Sequence, residues 1–114
     1  MKISEHFSRS EFACKCGCGF DTVDVELLGM LEQIRKHFDK PVTINSACRC
    51  PEHNDVVGGH ANSQHLFGRA ADITVKDIHP DLVYEFAEQI RVSGLGKYNT
   101  FTHVDSRTDG PARW

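Results

Sequence analysis

Residues 60–75, HANSQHLFGRAADITV, combine a polar segment with an apolar one. The first ten residues are mostly polar and include a glycine, so they predict a loop. Residues 70–75 are largely apolar and predict a short buried strand. Asp72 lies inside that strand, and His65 lies in the loop just before it. Because a carboxylate in a core strand is costly unless it is paired or bound to a metal, the stretch predicts a chemically active position as well as a strand.

A second histidine stands in a comparable position further along the chain. Residues 100–107, TFTHVDSR, alternate in character and predict another strand, which contains His103. His65, Asp72 and His103 are two histidines and one carboxylate, a set that commonly holds a catalytic zinc ion and leaves a fourth position for water. From the residues alone, other interpretations stay open. The histidines would then be hydrogen-bonded core or surface residues, and Asp72 would cap a turn or pair with Arg69.

The remaining patterns predict an α+β domain, in which a small antiparallel sheet packs with helices. Apolar residues spaced by three and four along residues 23–38 predict the longest helix. We find no repeat and no linker, so we expect a single domain over residues 1–114. The other predicted elements are a strand over 42–44, a helix over 51–57, and an amphipathic helix that begins at Pro80 and ends at Gly94.

Composition and charge exclude several classes of protein. The net charge is −3 with histidine neutral, whereas a nucleic-acid binder usually carries a basic surplus. No apolar run approaches the roughly 18 residues of a membrane helix. The N-terminus has no apolar segment typical of a signal peptide, so we expect synthesis in the cytoplasm without such a peptide. We expect a monomer with no nucleic-acid partner.

The five cysteines leave three interpretations open. Cys14, Cys16 and Cys18 cluster near the N-terminus, and Cys48 and Cys50 follow the strand predicted over 42–44. The thiols are reduced and inert, which is usual in the cytoplasm, or they form a disulfide between the two groups after export. Alternatively, they bind a second, structural zinc ion.

Four runs of the sequence carry a resemblance to a known family. The run SACRCPEHNDVVGGHANSQHLFGRAADI, residues 46–73, resembles the signature of the zinc D-alanyl-D-alanine carboxypeptidase family, which shares its fold with the hedgehog signalling domain. The run FTHVDSR, residues 101–107, resembles the later strand motif of the same family. FACKCGCGF, residues 12–20, and GPARW, residues 110–114, look like the compact phage- or prophage-borne branch.

The resemblance implies roles for four residues. It implies that His65, Asp72 and His103 hold Zn²⁺ and that Arg49 binds a carbonyl or carboxylate of the substrate, which suits the bidentate contacts of a guanidinium. It also implies peptidoglycan stem or cross-link peptides as substrate. The chain would reach the cell wall after release, for example through a lysis pore, or as part of a phage particle. The alternative is a non-catalytic zinc-containing binding module, because the hedgehog relatives keep zinc without this chemistry.

The general base is where this sequence departs from the family. Related branches have a glutamate or histidine two or three residues before the last zinc histidine, where this chain has Phe101 and Thr100. Asp105 is the nearest substitute, and on a strand it would share a face with His103. It would activate the zinc-bound water, serve as a further ligand, or orient His103. The structural alternative is an ion pair with Arg107 or Arg69.

Overall fold

The computed structural model describes residues 2–60 and 63–114, which form a five-stranded sheet and three α-helices. Two 3₁₀ turns, Arg9–Phe12 and Gln64–Phe67, complete the regular structure of this part of the chain. The helices are α1 (Val25–Phe38), α2 (Pro51–Val56) and α3 (Pro80–Gln89), and the strands are β1 (Val42–Ser46), β2 (Ala70–Val75), β3 (Gly94–Lys97), β4 (Thr102–Asp105) and β5 (Ala112–Arg113).

The strands lie in the order β1-β2-β4-β3-β5. Neighbouring strands are antiparallel except that β5 runs parallel to β3, so the expectation of a purely antiparallel sheet is corrected at this edge. In the central pairs, Asp72 lies opposite His103, and His103 lies opposite Gly96. Asp105 lies opposite Gly94 on the other side. The register therefore gathers the ionisable residues of β2 and β4 in the middle of the sheet.

The two faces of the sheet have different chemistry because successive side chains alternate. Ile73, Val104 and Leu95 belong to the buried apolar core, together with the inward residues of α1 and α3. Each large aliphatic side chain buried in this way contributes about 1.5–3 kcal/mol. Asp72 and His103 point to the opposite face. The hydrophobic face thus fixes the sheet, and the other face is available for a site.

The three predicted helices are confirmed, each with a changed boundary. The first helix starts at Val25, and α2 ends at Val56. The third helix ends at Gln89 and not near Gly94. Arg91 adopts a left-handed φ of 59°, which turns the chain out of the helix and lets Gly94 begin a strand.

The α+β class is confirmed, and none of the helices in the described residues is long and apolar enough to cross a membrane.

Candidate metal centre

Three buried side chains converge above the centre of the sheet. His65 comes from the turn Gln64–Phe67, Asp72 from β2 and His103 from β4. Oδ1 of Asp72 lies 3.3 Å from Nε2 of His65 and 2.9 Å from Nδ1 of His103. One ligand atom from each of the three residues lies within 4.8 Å of the others. The sequence therefore grouped these residues correctly, although their roles stay predictions.

The turn that carries His65 fixes both the direction and the tautomer of its ring. Nδ1 of His65 donates to the carbonyl oxygen of Ala47 at 2.6 Å. The Ser63 hydroxyl accepts from the backbone N–H of His65, and Gly68 closes the turn with a φ of 67°. A histidine whose Nδ1 proton is held by a carbonyl presents Nε2 as an acceptor, which is the usual arrangement for a metal ligand. Nε2 is also the atom that faces Asp72.

The ring of His103 lies between two carboxylates. Its Nδ1 faces Asp72, and its Nε2 donates to Oδ2 of Asp105 at 2.7 Å. Asp105 is fully buried and accepts from Arg107 through Nη2 at 2.7 Å and Nε at 2.9 Å. The backbone N–H of Arg107 also donates to Oδ1 of Asp105. Both oxygens of Asp105 therefore accept hydrogen bonds, and Asp105 and Asp72 contact opposite nitrogens of the His103 ring.

The electrostatics of this chain of groups favour charged forms. Burial opposes ionisation of Asp72, but hydrogen bonds from His103 and His65 outweigh it and hold the pKa of the carboxyl well below its ordinary value. Burial would lower the pKa of His103, but its bonds to Asp105 and Asp72 raise the pKa instead. Burial likewise opposes ionisation of Asp105, and His103 and Arg107 still keep its pKa low.

Arg49 lies directly beside this cluster. Its Nη2 lies 3.3 Å from Oδ2 of Asp72. Its Nη1 donates to Oδ1 of Asn54 at 3.1 Å, and its Nε donates to the Ser46 hydroxyl at 3.1 Å. The side chain is only 12% exposed. The guanidinium is thus held in one orientation at the edge of the site, and it takes the pairing with Asp72 that was alternatively expected from Arg69.

The cluster opens into a cleft of about 920 Å³. Trp114 forms part of its wall, with its ring 4.9 Å from that of His103 and its Nε1 donating to the Tyr98 hydroxyl at 2.9 Å. Gly96 makes this possible, because a Cβ there would lie 2.5 Å from the indole. Sequence reasoning did not single out Trp114, although the GPARW motif that contains it is a signal that could have found it.

Comparisons with known proteins identify a family and one relative. The Peptidase M15 family matches residues 5–105. A zinc D-Ala-D-Ala carboxypeptidase of Streptomyces albus G is 49% identical to the chain over 35 residues, which are 31% of this chain and 14% of the Streptomyces protein. The chain thus spans a small part of the length of that relative. Because the family match covers most of its residues, the chain belongs to the Peptidase M15 family.

Proposed function

We propose that this chain is a zinc-dependent peptidase that hydrolyses peptide bonds in the stem or cross-link peptides of peptidoglycan. The observation that carries the proposal is the cluster of His65, Asp72 and His103 in a cleft, with Arg49 beside it. The family and the relative named as a zinc D-Ala-D-Ala carboxypeptidase support the same activity.

The donor set suits a zinc ion. His65 offers Nε2 because its Nδ1 is bonded to Ala47, and His103 offers Nδ1 because its Nε2 is bonded to Asp105. The carboxylate of Asp72 lies between them and is held in its ionised form. Zinc in catalytic sites takes three such protein ligands and keeps one position open. When bound there, the ion supplies a water of lowered pKa and polarises the substrate carbonyl.

Arg49 would bind the carboxylate or a carbonyl of the substrate. A guanidinium forms two parallel hydrogen bonds to a carboxylate, and this geometry requires that the side chain be oriented before binding. The contacts from Arg49 to Ser46 and Asn54 provide that orientation. The free carboxylate of a terminal D-alanine has the chemistry that such a group recognises.

Asp105 would act as a positioning residue for His103. Of the three roles considered for it, orientation agrees best with a fully buried carboxylate whose two oxygens both accept hydrogen bonds. A carboxylate that accepts from the distal nitrogen of a metal-bound histidine fixes the ring and raises its basicity. The proton acceptor for the attacking water would then come from another residue of the cleft wall, and His60 and Asp109 both line the cleft.

The role of a phage or prophage enzyme that lyses cells belongs to the same proposal. It rests on the resemblance of residues 12–20 and 110–114 to that branch. It implies that the chain meets its substrate after release or as part of a phage particle.

Digestion of purified peptidoglycan tests the proposed activity. We expect the zinc-loaded chain to release new amino groups or free D-alanine, and the His65→Ala variant to release neither. The second candidate is a binding module, which the lack of a proton acceptor at Thr100 and Phe101 favours. Sedimentation of the chain with peptidoglycan without any release would support the module and contradict the enzyme.

A further inference from the structure

Four cysteines form a second cluster of metal-ligand type. Cys14, Cys16 and Cys18 lie in the loop that follows the turn Arg9–Phe12, and Cys50 precedes α2. One sulfur from each of the four lies within 4.8 Å of the others. The proposed peptidase chemistry uses none of these thiols.

The distances between the sulfurs suit a shared tetrahedral ion. Sγ of Cys14 lies 3.4 Å from Sγ of Cys16 and 3.8 Å from Sγ of Cys50, and the sulfurs of Cys16 and Cys50 are 3.6 Å apart. Four thiolates at about 2.3 Å from a zinc ion are separated by about 3.8 Å along the edges of the tetrahedron. A disulfide joins only two sulfurs and gives no reason for four to converge.

The backbone around the cluster is arranged to stabilise negatively charged sulfur. The backbone N–H of Cys50 donates to Sγ of Cys14 at 3.4 Å, and the N–H of His53 donates to Sγ of Cys50 at 3.4 Å. Gly17 and Gly19 have φ values of 82° and 92°, which let the loop curl around its cysteines. Hydrogen bonds from N–H groups to sulfur stabilise the thiolate form that binds metals.

We propose that Cys14, Cys16, Cys18 and Cys50 bind a second, structural zinc ion. Four protein ligands close the coordination shell and leave no position for water or substrate, so the site stabilises the fold and performs no chemistry. The fifth cysteine, Cys48, is buried in the core and takes no part.

The site ties the N-terminal loop to the segment that carries Arg49. Cys50 follows Arg49 directly, and the backbone N–H of Arg49 donates to the carbonyl of His65 at 3.0 Å. The N–H of Cys48 also donates to the carbonyl of Phe12 at 3.1 Å. A metal ion held by both segments would therefore limit the motion of the substrate-binding arginine.

Metal content and cobalt spectroscopy of the full chain test this proposal. We expect two zinc ions per wild-type chain, one in Cys16→Ser, one in His65→Ala, and two in the matched control Cys48→Ser. The cobalt-substituted wild type should show a sulfur-to-cobalt charge-transfer band in the near ultraviolet. That band should persist in His65→Ala. The cysteine site can therefore be tested whether or not the proposed peptidase site binds zinc.

The wild-type spectrum reports on the cysteine site even if a cysteine variant does not fold. A cobalt-loaded wild type without the charge-transfer band would overturn the proposal. So would two zinc ions in a folded Cys16→Ser variant, or mass spectrometry that finds Cys50 in a disulfide in the purified, metal-supplemented chain.

Discussion

The orientation of the His103 ring depends on Asp105. The bond between His103 Nε2 and Asp105 leaves Nδ1 facing Asp72, and Arg107 holds the carboxylate from the other side. Removing the negative charge from a carboxylate that supports a metal-bound histidine typically weakens metal affinity by about 10–100-fold.

We therefore predict that Asp105→Asn lowers zinc affinity by about 10–100-fold. The amide keeps the size of the side chain but loses the charge that His103 and Arg107 contact. Competition with a chromogenic chelator measures the affinity. Unchanged affinity together with a loss of turnover of about a hundredfold would instead assign Asp105 as the general base.

Arg49 is held at the edge of the site by Ser46 and Asn54. Arg49→Ala should keep the zinc ion and lower kcat/KM by about 10–100-fold, because a hydrogen bond to a charged group is worth about 1.5–3 kcal/mol. Arg49→Lys should restore little, since lysine lacks the planar fork. Arg35→Ala on α1 is the matched control. Equal kcat/KM in Arg49→Ala and Arg35→Ala would remove Arg49 from the substrate site.

At the scale of elements, β3 leaves space for the site because two of its four residues are glycines. Gly94 lies opposite Asp105, and a Cβ there would overlap the carboxylate of Asp105. Gly29 of α1 is exposed and a Cβ there would meet nothing within 4 Å. The same substitution should therefore have opposite effects at these two glycines.

We predict that Gly94→Ala lowers the free energy of unfolding by about 1–3 kcal/mol, as overpacking does, and also weakens zinc binding. Gly29→Ala should raise the free energy of unfolding by up to about 1 kcal/mol, because alanine is the better helix former. Denaturant titrations measure both. A Gly94→Ala variant with wild-type stability and zinc affinity would show that the contact between Gly94 and Asp105 is unimportant.

One carboxylate of α1 accepts three hydrogen bonds from the N-terminal segment. Glu32 accepts from the Ser4 hydroxyl at 2.5 Å, from the backbone N–H of His6 at 2.7 Å, and from His6 Nδ1 at 2.6 Å. Burial opposes its ionisation, but these hydrogen bonds dominate and lower the pKa of Glu32. Because the folded-state pKa lies below the unfolded value, the stabilisation is present above the unfolded pKa and is lost as pH falls through the folded pKa.

We predict that Glu32→Gln lowers the free energy of unfolding by about 1–3 kcal/mol at neutral pH. The difference from wild type should shrink as pH falls below the ordinary glutamate pKa of about 4.3. Denaturant titrations across pH measure it, with Glu85→Gln on the exposed side of α3 as the control. A difference that stays constant down to acid pH would contradict the role of the ionised carboxylate.

Across the whole molecule, the sequence indicated which ionisable residues lie together, but it left part of the sheet undetected. Asp72 and His103 were detectable because ionisable residues interrupt apolar strands, and such a position needs a partner. The strand Gly94–Lys97 was not detectable, because two glycines in GLGK have low strand propensity and its pairing with β4 comes from tertiary structure. The tautomer of His65 was hidden for a similar reason, since the carbonyl of Ala47 lies 18 residues away.

The cysteines show the same limit on long-range inference. The sequence alone left free thiols, a disulfide and a metal site open, because 36 residues separate Cys14 from Cys50. Only the folded chain brings the four sulfurs together. The folded chain thus contains two separate groups of metal-ligand type, one at the sheet and the turn Gln64–Phe67 and one at the N-terminal loop and Cys50.

The proposed function requires that His65, Asp72 and His103 hold a zinc ion. An anomalous difference map from zinc-loaded crystals, measured across the zinc absorption edge, shows whether they do. We predict a zinc peak bounded by Nε2 of His65, the carboxylate of Asp72 and Nδ1 of His103. Fully zinc-loaded crystals with no peak at these three residues, or with zinc at the cysteines alone, would contradict it.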